Sequence, residues 1–134
     1  MQTKGIEKRI HKRVLFTPED GIIGEFDLPG NAEENFTANI INMSQGGLHF
    51  TFPKYLSNSI KKGDRLILTN IKDNKSNELM VNVDTEVRWI SVDKLSKNIG
   101  VGSEFLDLKD VQSNKIKEYL DLWYLQRIPG NGND

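Results

Sequence analysis

A regular alternation of apolar and polar residues between positions 79 and 89 constrains the fold of this 134-residue chain more than any other feature. One face carries Leu79, Val81, Val83, Thr85, Val87 and Trp89, and the other carries Asn82, Asp84, Glu86 and Arg88. Successive side chains of a strand point to opposite faces, so this period of two predicts a long strand with one buried and one solvated face. Such strands are typical of antiparallel sheets and barrels, and we expect Trp89 to pack in the core unless a bulge turns it outward.

Shorter segments extend the strand pattern through most of the chain. Runs rich in β-branched and aromatic residues predict further strands at 14–16, 22–28, 36–42, 48–52, 64–71 and 99–105. The period then changes to that of a helix, whose apolar face consists of Ile116, Tyr119, Leu120 and Trp123. Pro129 and Gly130 follow the expected end of this helix near Arg127. We expect the helix to cover an open end of the sheet, since that end would otherwise expose apolar residues. A second contact surface on the helix is the alternative.

Length and composition indicate a single domain whose core is large enough to be stable without disulfide bonds. The chain has no cysteine and two histidines in unrelated places, which makes a disulfide, a thiolate nucleophile or a zinc site a poor expectation. No apolar run is long enough to span a membrane, and residues 1–12 lack the apolar centre of a secretion signal. We therefore expect a cytoplasmic protein with one domain at 8–127, a barrel at about 13–108 and a helix at about 110–127. Residues 1–7 and 128–134 are expected to be flexible tails.

The charge is distributed unevenly along the chain. Residues 1–13 carry five lysines and arginines against Glu7, which gives +4 within a formal net charge of −1, and leaves −5 for the rest. An anion would therefore be attracted by this local arm and not by the overall field of the protein. A small, doubly charged ligand or an acidic patch on a partner suits so short a segment better than long nucleic acid. A merely solvated basic terminus is the alternative.

A tight turn at Asn42–Gly47 joins two of the predicted strands. Its glycines can take positive φ without steric cost, and Asn42 and Ser44 offer side-chain donors and acceptors at the same edge. A hairpin needs only the glycines, so a purely structural turn remains an alternative here.

Two arginines at i and i+4, Arg9 and Arg13, precede the first strand. This spacing places both side chains on one side of an extended segment or of a helical turn. Guanidinium is a planar fork that pairs bidentately with phosphate or with the O6 and N7 edge of guanine, a geometry that lysine lacks. Both arginines could therefore address one ligand.

Together, Arg9-x-x-x-Arg13 and Asn42-x-Ser44-x-x-Gly47 resemble the paired motifs of the PilZ domain family. The segments 86–89 and 99–108 resemble later strands of that family, and a terminal helix is also typical of it, so the resemblance covers roughly residues 8–127. It implies a mainly β fold, a six-stranded antiparallel β-barrel with a C-terminal α-helix. It also implies that the outer surface of the barrel binds the bacterial second messenger cyclic di-GMP.

The resemblance assigns roles to individual residues. Arg9 and Arg13 would grip phosphate and guanine edges, Asn42 and Ser44 would hydrogen-bond a guanine, and Gly47 would keep the turn open to it. Secondary candidates for ligand contact are Lys8, Gly46 and Arg88. Many relatives that bind an intercalated ligand pair have arginine where Lys8 stands, so the number of ligands per chain is left open. A solvated surface arginine is the alternative for Arg88.

The expected mechanism is that the ligand orders the basic arm across the barrel, creating a surface for a downstream protein that controls motility, exopolysaccharide or biofilm formation. The alternative is a PilZ-like protein–protein adaptor that binds no ligand. A barrel that binds single-stranded nucleic acid would need exposed aromatics along a basic groove, and most aromatics here have core spacing. No catalytic residues, metal ligands or cofactors are expected, because no nucleophile–base pair accompanies the motifs.

Overall fold

The computed structural model describes residues 13–28, 31–75 and 77–127, so the two predicted tails lie outside the described residues. The strands in this part of the chain are β1 (Val14–Leu15), β2 (Ile23–Leu28), β3 (Asn31–Ser44), β4 (Gly47–Pro53), β5 (Arg65–Lys72), β6 (Glu78–Val92) and β7 (Asn98–Phe105). They are followed by one helix, α1 (Asp110–Arg127). Short 3-10 helices cover Pro18–Asp20 and Lys54–Ser59.

The six longer strands close into an antiparallel barrel. Hydrogen-bonded neighbours follow the order β3-β2-β5-β6-β7-β4, and β4 pairs back with β3 to complete the ring. The two-residue β1 lies outside this ring and pairs with the end of β3, where Val14 is opposite Met43 and Leu15 is opposite Asn42. The fold class predicted from the sequence, a six-stranded antiparallel barrel with a C-terminal helix, is confirmed.

Alternation along the strands fills the barrel interior with apolar side chains. Phe26 and Phe50 are fully buried with ring centroids 4.8 Å apart, and the predicted inward residues of β6 from Leu79 to Val87 are also buried. Thr85, the polar member of that row, donates its hydroxyl to the carbonyl of Leu66 at 3.2 Å, which satisfies it inside the core. The interior is therefore packed, and a ligand must bind on the outside.

Helix α1 buries the face that its sequence period predicted. Ile116, Tyr119, Leu120 and Trp123 are all buried in the same core as the barrel interior. The Trp123 ring meets Phe16, in the connection between β1 and β2, edge to face at 5.3 Å. This helix packs against β6 and β1. No helix within the described residues is long and apolar enough to cross a membrane.

The β3–β4 hairpin differs from the prediction in two respects. Strand β3 begins at Asn31 and is therefore longer than the predicted segment 36–42. Neither Gly46 nor Gly47 adopts positive φ; Gln45 and Gly46 form the turn, and Ser44 pairs with Gly47 across it. Gly47 is needed for a different reason: a Cβ there would lie 2.2 Å from the carbonyl oxygen of Ser103 on β7.

Two leucines of α1 provide a direct test of the helix packing. Leu120 is 5% exposed and Leu122 is 52% exposed, so Leu120→Ala should lower the free energy of unfolding by about 2–5 kcal/mol. Leu122→Ala, the same chemical change on the solvent side, should stay within about 0.5 kcal/mol of the parent. Urea unfolding followed by far-ultraviolet circular dichroism measures both. Equal effects for the two variants would contradict the buried face assigned to the helix.

Candidate functional site

A surface cleft of about 800 Å³ lies on the outside of the barrel, bounded by residues of β3, β4, β6 and β7 and by Arg13, which precedes β1. Volumes of this order are typical of small-molecule sites. The polar and aromatic residues that line it are Arg13, Asn42, Ser44, His49, Arg88, Trp89, Ser103 and Glu104. The turn glycines 46 and 47 contribute backbone to the same surface. Four of the five primary residues predicted from the sequence are therefore present in one cleft.

The two predicted motifs meet through a hydrogen bond between side chains that are 29 positions apart in the chain. Arg13 donates from Nη1 to Oδ1 of Asn42. The pairing of Leu15 with Asn42 brings the start of β1 alongside β3 and carries Arg13 to this position. A guanidinium group can only donate, so the oxygen of the Asn42 carboxamide must face Arg13.

Asn42 faces the cleft because of an irregularity in its own strand. The β3–β4 register shifts between Ile40 and Asn42, so that Ile40 pairs with Phe50 whereas Asn42 pairs with His49. Such a bulge re-aims the residues that follow it. The Nδ2 atom of Asn42 lies 3.2 Å from Nδ1 of His49, which makes Asn42 the link between an arginine and a histidine.

The predicted residues of the hairpin turn are largely occupied with shaping the turn itself. The Ser44 hydroxyl accepts a hydrogen bond from the backbone N–H of Gly46 at 3.1 Å, and Ser44 is buried. Gly47 permits the close approach of β4 to β7 described above. The hydroxyl of Ser44 retains capacity to donate, whereas Gly47 acts on the cleft through backbone placement alone.

Trp89 lies in the cleft and not in the core, which corrects the prediction from the alternating pattern. The β6–β7 register shifts between Val87 and Trp89, so Arg88 is an extra residue and the alternation reverses. Trp89 is 44% exposed. Its indole lies over Gly102, where a Cβ would be 2.1 Å from Trp89 Cε2, and its ring is 4.7 Å from that of His49 at an angle of 64°.

Arg88, a secondary candidate from the sequence, lies at the edge of the cleft in an ion-pair network. Its guanidinium contacts the carboxylate of Glu104 and lies 3.4 Å from Oε2 of Glu86. The side chain is half exposed, so solvent weakens these pairs. Any ligand contact by Arg88 would have to compete with two carboxylates. The remaining sequence candidates, Arg9 and Lys8, lie outside the described residues.

The environment of His49 keeps its ring neutral near physiological pH. Burial lowers the pKa of His49 below its ordinary value of 6.5, and the nearby positive charge of Arg13 lowers it further. A neutral ring has one N–H and one acceptor nitrogen. Among the described residues, no group of three histidine, cysteine or acidic side chains could hold a metal ion.

Sequence patterns did not identify His49 and Trp89 as residues of this surface. His49 was considered only as a metal ligand, and Trp89 followed the core spacing of its strand. The signal that could have indicated both is the pair Gly100 and Gly102 on β7. A Cβ at Gly100 would lie 2.9 Å from His49 Nε2, so each glycine provides the space that one of the two rings occupies.

Comparison with known families identifies the fold. The PilZ domain family model matches residues 23–122, which is more than half of the chain. The chain belongs to the PilZ domain family. Comparison with curated proteins gives no significant match. Arg13 precedes the matched residues, so its position beside Asn42 comes from the structure and not from the family match.

Solved structures with the same fold have low sequence identity to this PilZ domain. The complex of MrkH from K. pneumonia with c-di-GMP has a TM-score of 0.67 at 15% identity, and covers 87% of this chain and 52% of that chain. The inhibitor of motility MotI from Bacillus subtilis has a TM-score of 0.62 at 19% identity, with coverages of 87% and 52%. This chain therefore spans about half the length of each of these proteins.

The PilZ domain of YcgR from Escherichia coli, solved with c-di-GMP, is similar over nearly its whole length. Its TM-score is 0.60 at 12% identity, and the alignment covers 87% of this chain and 91% of that chain. At such identities the likeness concerns the fold.

The electrostatic coupling between Arg13 and His49 is measurable without any ligand. His49 should titrate below 6.5, and Arg13→Ala should raise its pKa toward, but not to, that value, because burial remains. Imidazole chemical shifts followed by NMR against pH measure this, with His49→Phe to assign the signal. Arg65→Ala, which removes an arginine outside the cleft, should leave the pKa unchanged. A pKa at or above 6.5 in the parent protein would contradict the arrangement.

Proposed function

We propose that this PilZ domain is a receptor for cyclic di-GMP and binds it in the cleft beside the β3–β4 turn. The observation that carries the proposal is the hydrogen bond between Arg13 and Asn42, which joins the arginine motif to the turn motif on one surface. The similarity to MrkH and to the YcgR PilZ domain, both solved with c-di-GMP, supports the same ligand class.

The chemistry of the cleft suits a ligand with two phosphates and two guanines. Arg13 presents a guanidinium fork for a phosphate or a guanine edge, and Arg9 is proposed to act with it from the same arm. Asn42 offers both donor and acceptor to a guanine. Ser44, with the backbone of Gly46 and Gly47, forms the adjoining edge of the surface.

The charge balance of the cleft assigns a specific task to the arm. Glu104 lines the cleft and, with Glu86, neutralises Arg88, so the described wall opposite Arg13 supplies little net positive charge. Attraction of a dianionic ligand is therefore proposed to come from residues 1–13, which carry +4 by sequence count, five basic residues against one acidic residue. Lys8 would contribute charge there without a guanidinium fork.

We propose that the protein transmits its signal through a change in the basic arm, residues 1–13. A ligand held between the arm and the turn at 42–47 would fix the arm against the barrel and present a new surface to a cytoplasmic protein partner. Control of motility, exopolysaccharide or biofilm formation is the proposed outcome, and the fold shared with an inhibitor of motility is consistent with the first of these. Hydrogen exchange of the arm, measured with and without cyclic di-GMP, tests the ordering step.

Isothermal titration calorimetry with cyclic di-GMP tests the receptor assignment and gives the number of ligands per chain. Arg13→Ala should weaken binding about tenfold or more, because a bidentate arginine contact is worth about 1–3 kcal/mol. Arg13→Lys should recover little of the loss, because lysine retains the charge but not the fork.

Matched controls separate recognition from charge and folding. Arg65→Ala removes an equal charge from a half-exposed arginine outside the cleft and should bind as the parent does. Linear pGpG and cyclic di-AMP should bind more weakly than cyclic di-GMP. Absence of both binding heat and thermal stabilisation in the parent protein would reject the receptor and favour the adaptor alternative.

A further inference from the structure

The Asn42 carboxamide can be rotated by 180° with almost no change in shape, so its neighbours determine which way it faces. Arg13 supplies only donors and therefore requires Oδ1 on its side. The amide nitrogen then faces His49 Nδ1, 3.2 Å away, and this ring nitrogen must accept the hydrogen bond. His49 consequently carries its proton on Nε2 when Asn42 is in this orientation.

We infer that His49 is a positioning residue that, together with Arg13, fixes the orientation of the Asn42 carboxamide for guanine recognition. The inference rests on the proposed function for its ligand and on the described side chains for its geometry. Arg13 and His49 each use one of two hydrogen-bonding positions on an amide atom. Asn42 therefore keeps one N–H donor and one acceptor lone pair, in an order that its neighbours set.

The order of donor and acceptor on the Asn42 amide can distinguish one purine from another. On its pairing edge guanine presents the O6 acceptor beside the N1–H donor, whereas adenine presents an N6–H donor beside the N1 acceptor. An amide held in one orientation matches one of these edges, and a freely rotating amide matches both. His49 therefore acts on selectivity between guanine and adenine ligands as well as on affinity.

The position of His49 is itself held by neighbouring strands. Asn42, His49, Gly102 and Trp89 are register partners in one row across β3, β4, β7 and β6. Trp89 packs against the His49 ring at 4.7 Å, over the space left by Gly102. This contact limits movement of the ring away from Asn42.

Burial and the positive charge of Arg13 favour the neutral form of the His49 ring by lowering its pKa. Arg13 faces His49 from the segment before β1, whereas Arg88 on β6 and Glu104 on β7 line the same cleft and pair with each other. Protonated His49 would place an N–H against the N–H of Asn42 and would thereby remove the preference for this amide orientation.

Substitutions at His49 can distinguish the contribution of its acceptor nitrogen from that of its aromatic ring, and they test the inference. His49→Phe keeps an aromatic ring for Trp89 but has no acceptor, and it should weaken cyclic di-GMP binding by about threefold to tenfold, as expected for one lost hydrogen bond. It should also narrow the preference for cyclic di-GMP over cyclic di-AMP. His49→Asn, whose Oδ1 can take the position of the Nδ1 acceptor, should recover both affinity and preference to within about twofold of the parent.

A double-mutant cycle supplies the matched control. In an Asn42→Ala background, His49→Phe should cause no further loss, because there is no amide left to orient. Equal losses for His49→Phe and His49→Asn, or an undiminished loss in the Asn42→Ala background, would overturn the inference. Thermal unfolding of each variant reports whether the barrel remains folded.

A ligand-free measurement distinguishes failure of the inference from failure of the proposed function. The ¹⁵N chemical shifts of the His49 ring at neutral pH should show the Nε2–H tautomer. The Nδ1–H tautomer would overturn the inference whether or not the protein binds a nucleotide. Absence of cyclic di-GMP binding by a protein with the Nε2–H tautomer would reject the proposed function and, with it, the role in guanine recognition.

Discussion

Closure of the barrel by β3 is the constraint on which the rest of the structure depends. This 14-residue strand pairs with β2 along its first part, with β1 near its end, and with β4 through the hairpin. It therefore closes the ring and also carries Asn42 next to the segment that holds Arg13. Because β3 both closes the ring and positions Asn42, the geometry of the cleft depends on the backbone hydrogen bonds of the barrel.

The packed interior explains why the cleft is external and why irregularities in the strands matter. In a strand with strict alternation, every second residue points into a core that has no room for a ligand. One extra residue in β6 and one in β3 break this alternation, and they turn Trp89 and Asn42 outward. Both bulges border the same cleft, which is where departures from regular pairing are expected when a surface is shaped for contact.

The elements that were predicted correctly are those whose apolar residues follow a regular spacing within one segment of the chain. The alternation from Leu79 to Val87 and the helical spacing from Ile116 to Trp123 follow from the geometry of one strand and one helix, and both sets of residues are buried as expected. The prediction failed at Trp89, because a bulge depends on the partner strand and not on the period of the strand itself. The ion pairs of Arg88 with Glu86 and Glu104 could not be predicted from the sequence either. Glu104 belongs to another strand, and the register of that strand is fixed only in the folded barrel.

The cleft is preorganised in a way that limits the gain from any single contact. The Arg13 guanidinium and the Asn42 amide already bond to each other, so a ligand that used the same atoms would exchange one hydrogen bond for another. Net affinity must then come from the positions that these bonds leave free and from additional residues of the arm. Arg13 is exposed and precedes a strand of only two residues, β1, so it can change its position with the loss of few backbone hydrogen bonds. Asn42, in contrast, is held by the pairing of β3 and by His49. In the proposed receptor, the adjustable Arg13 would contact phosphate, whereas the fixed amide of Asn42 would set the selectivity for the base.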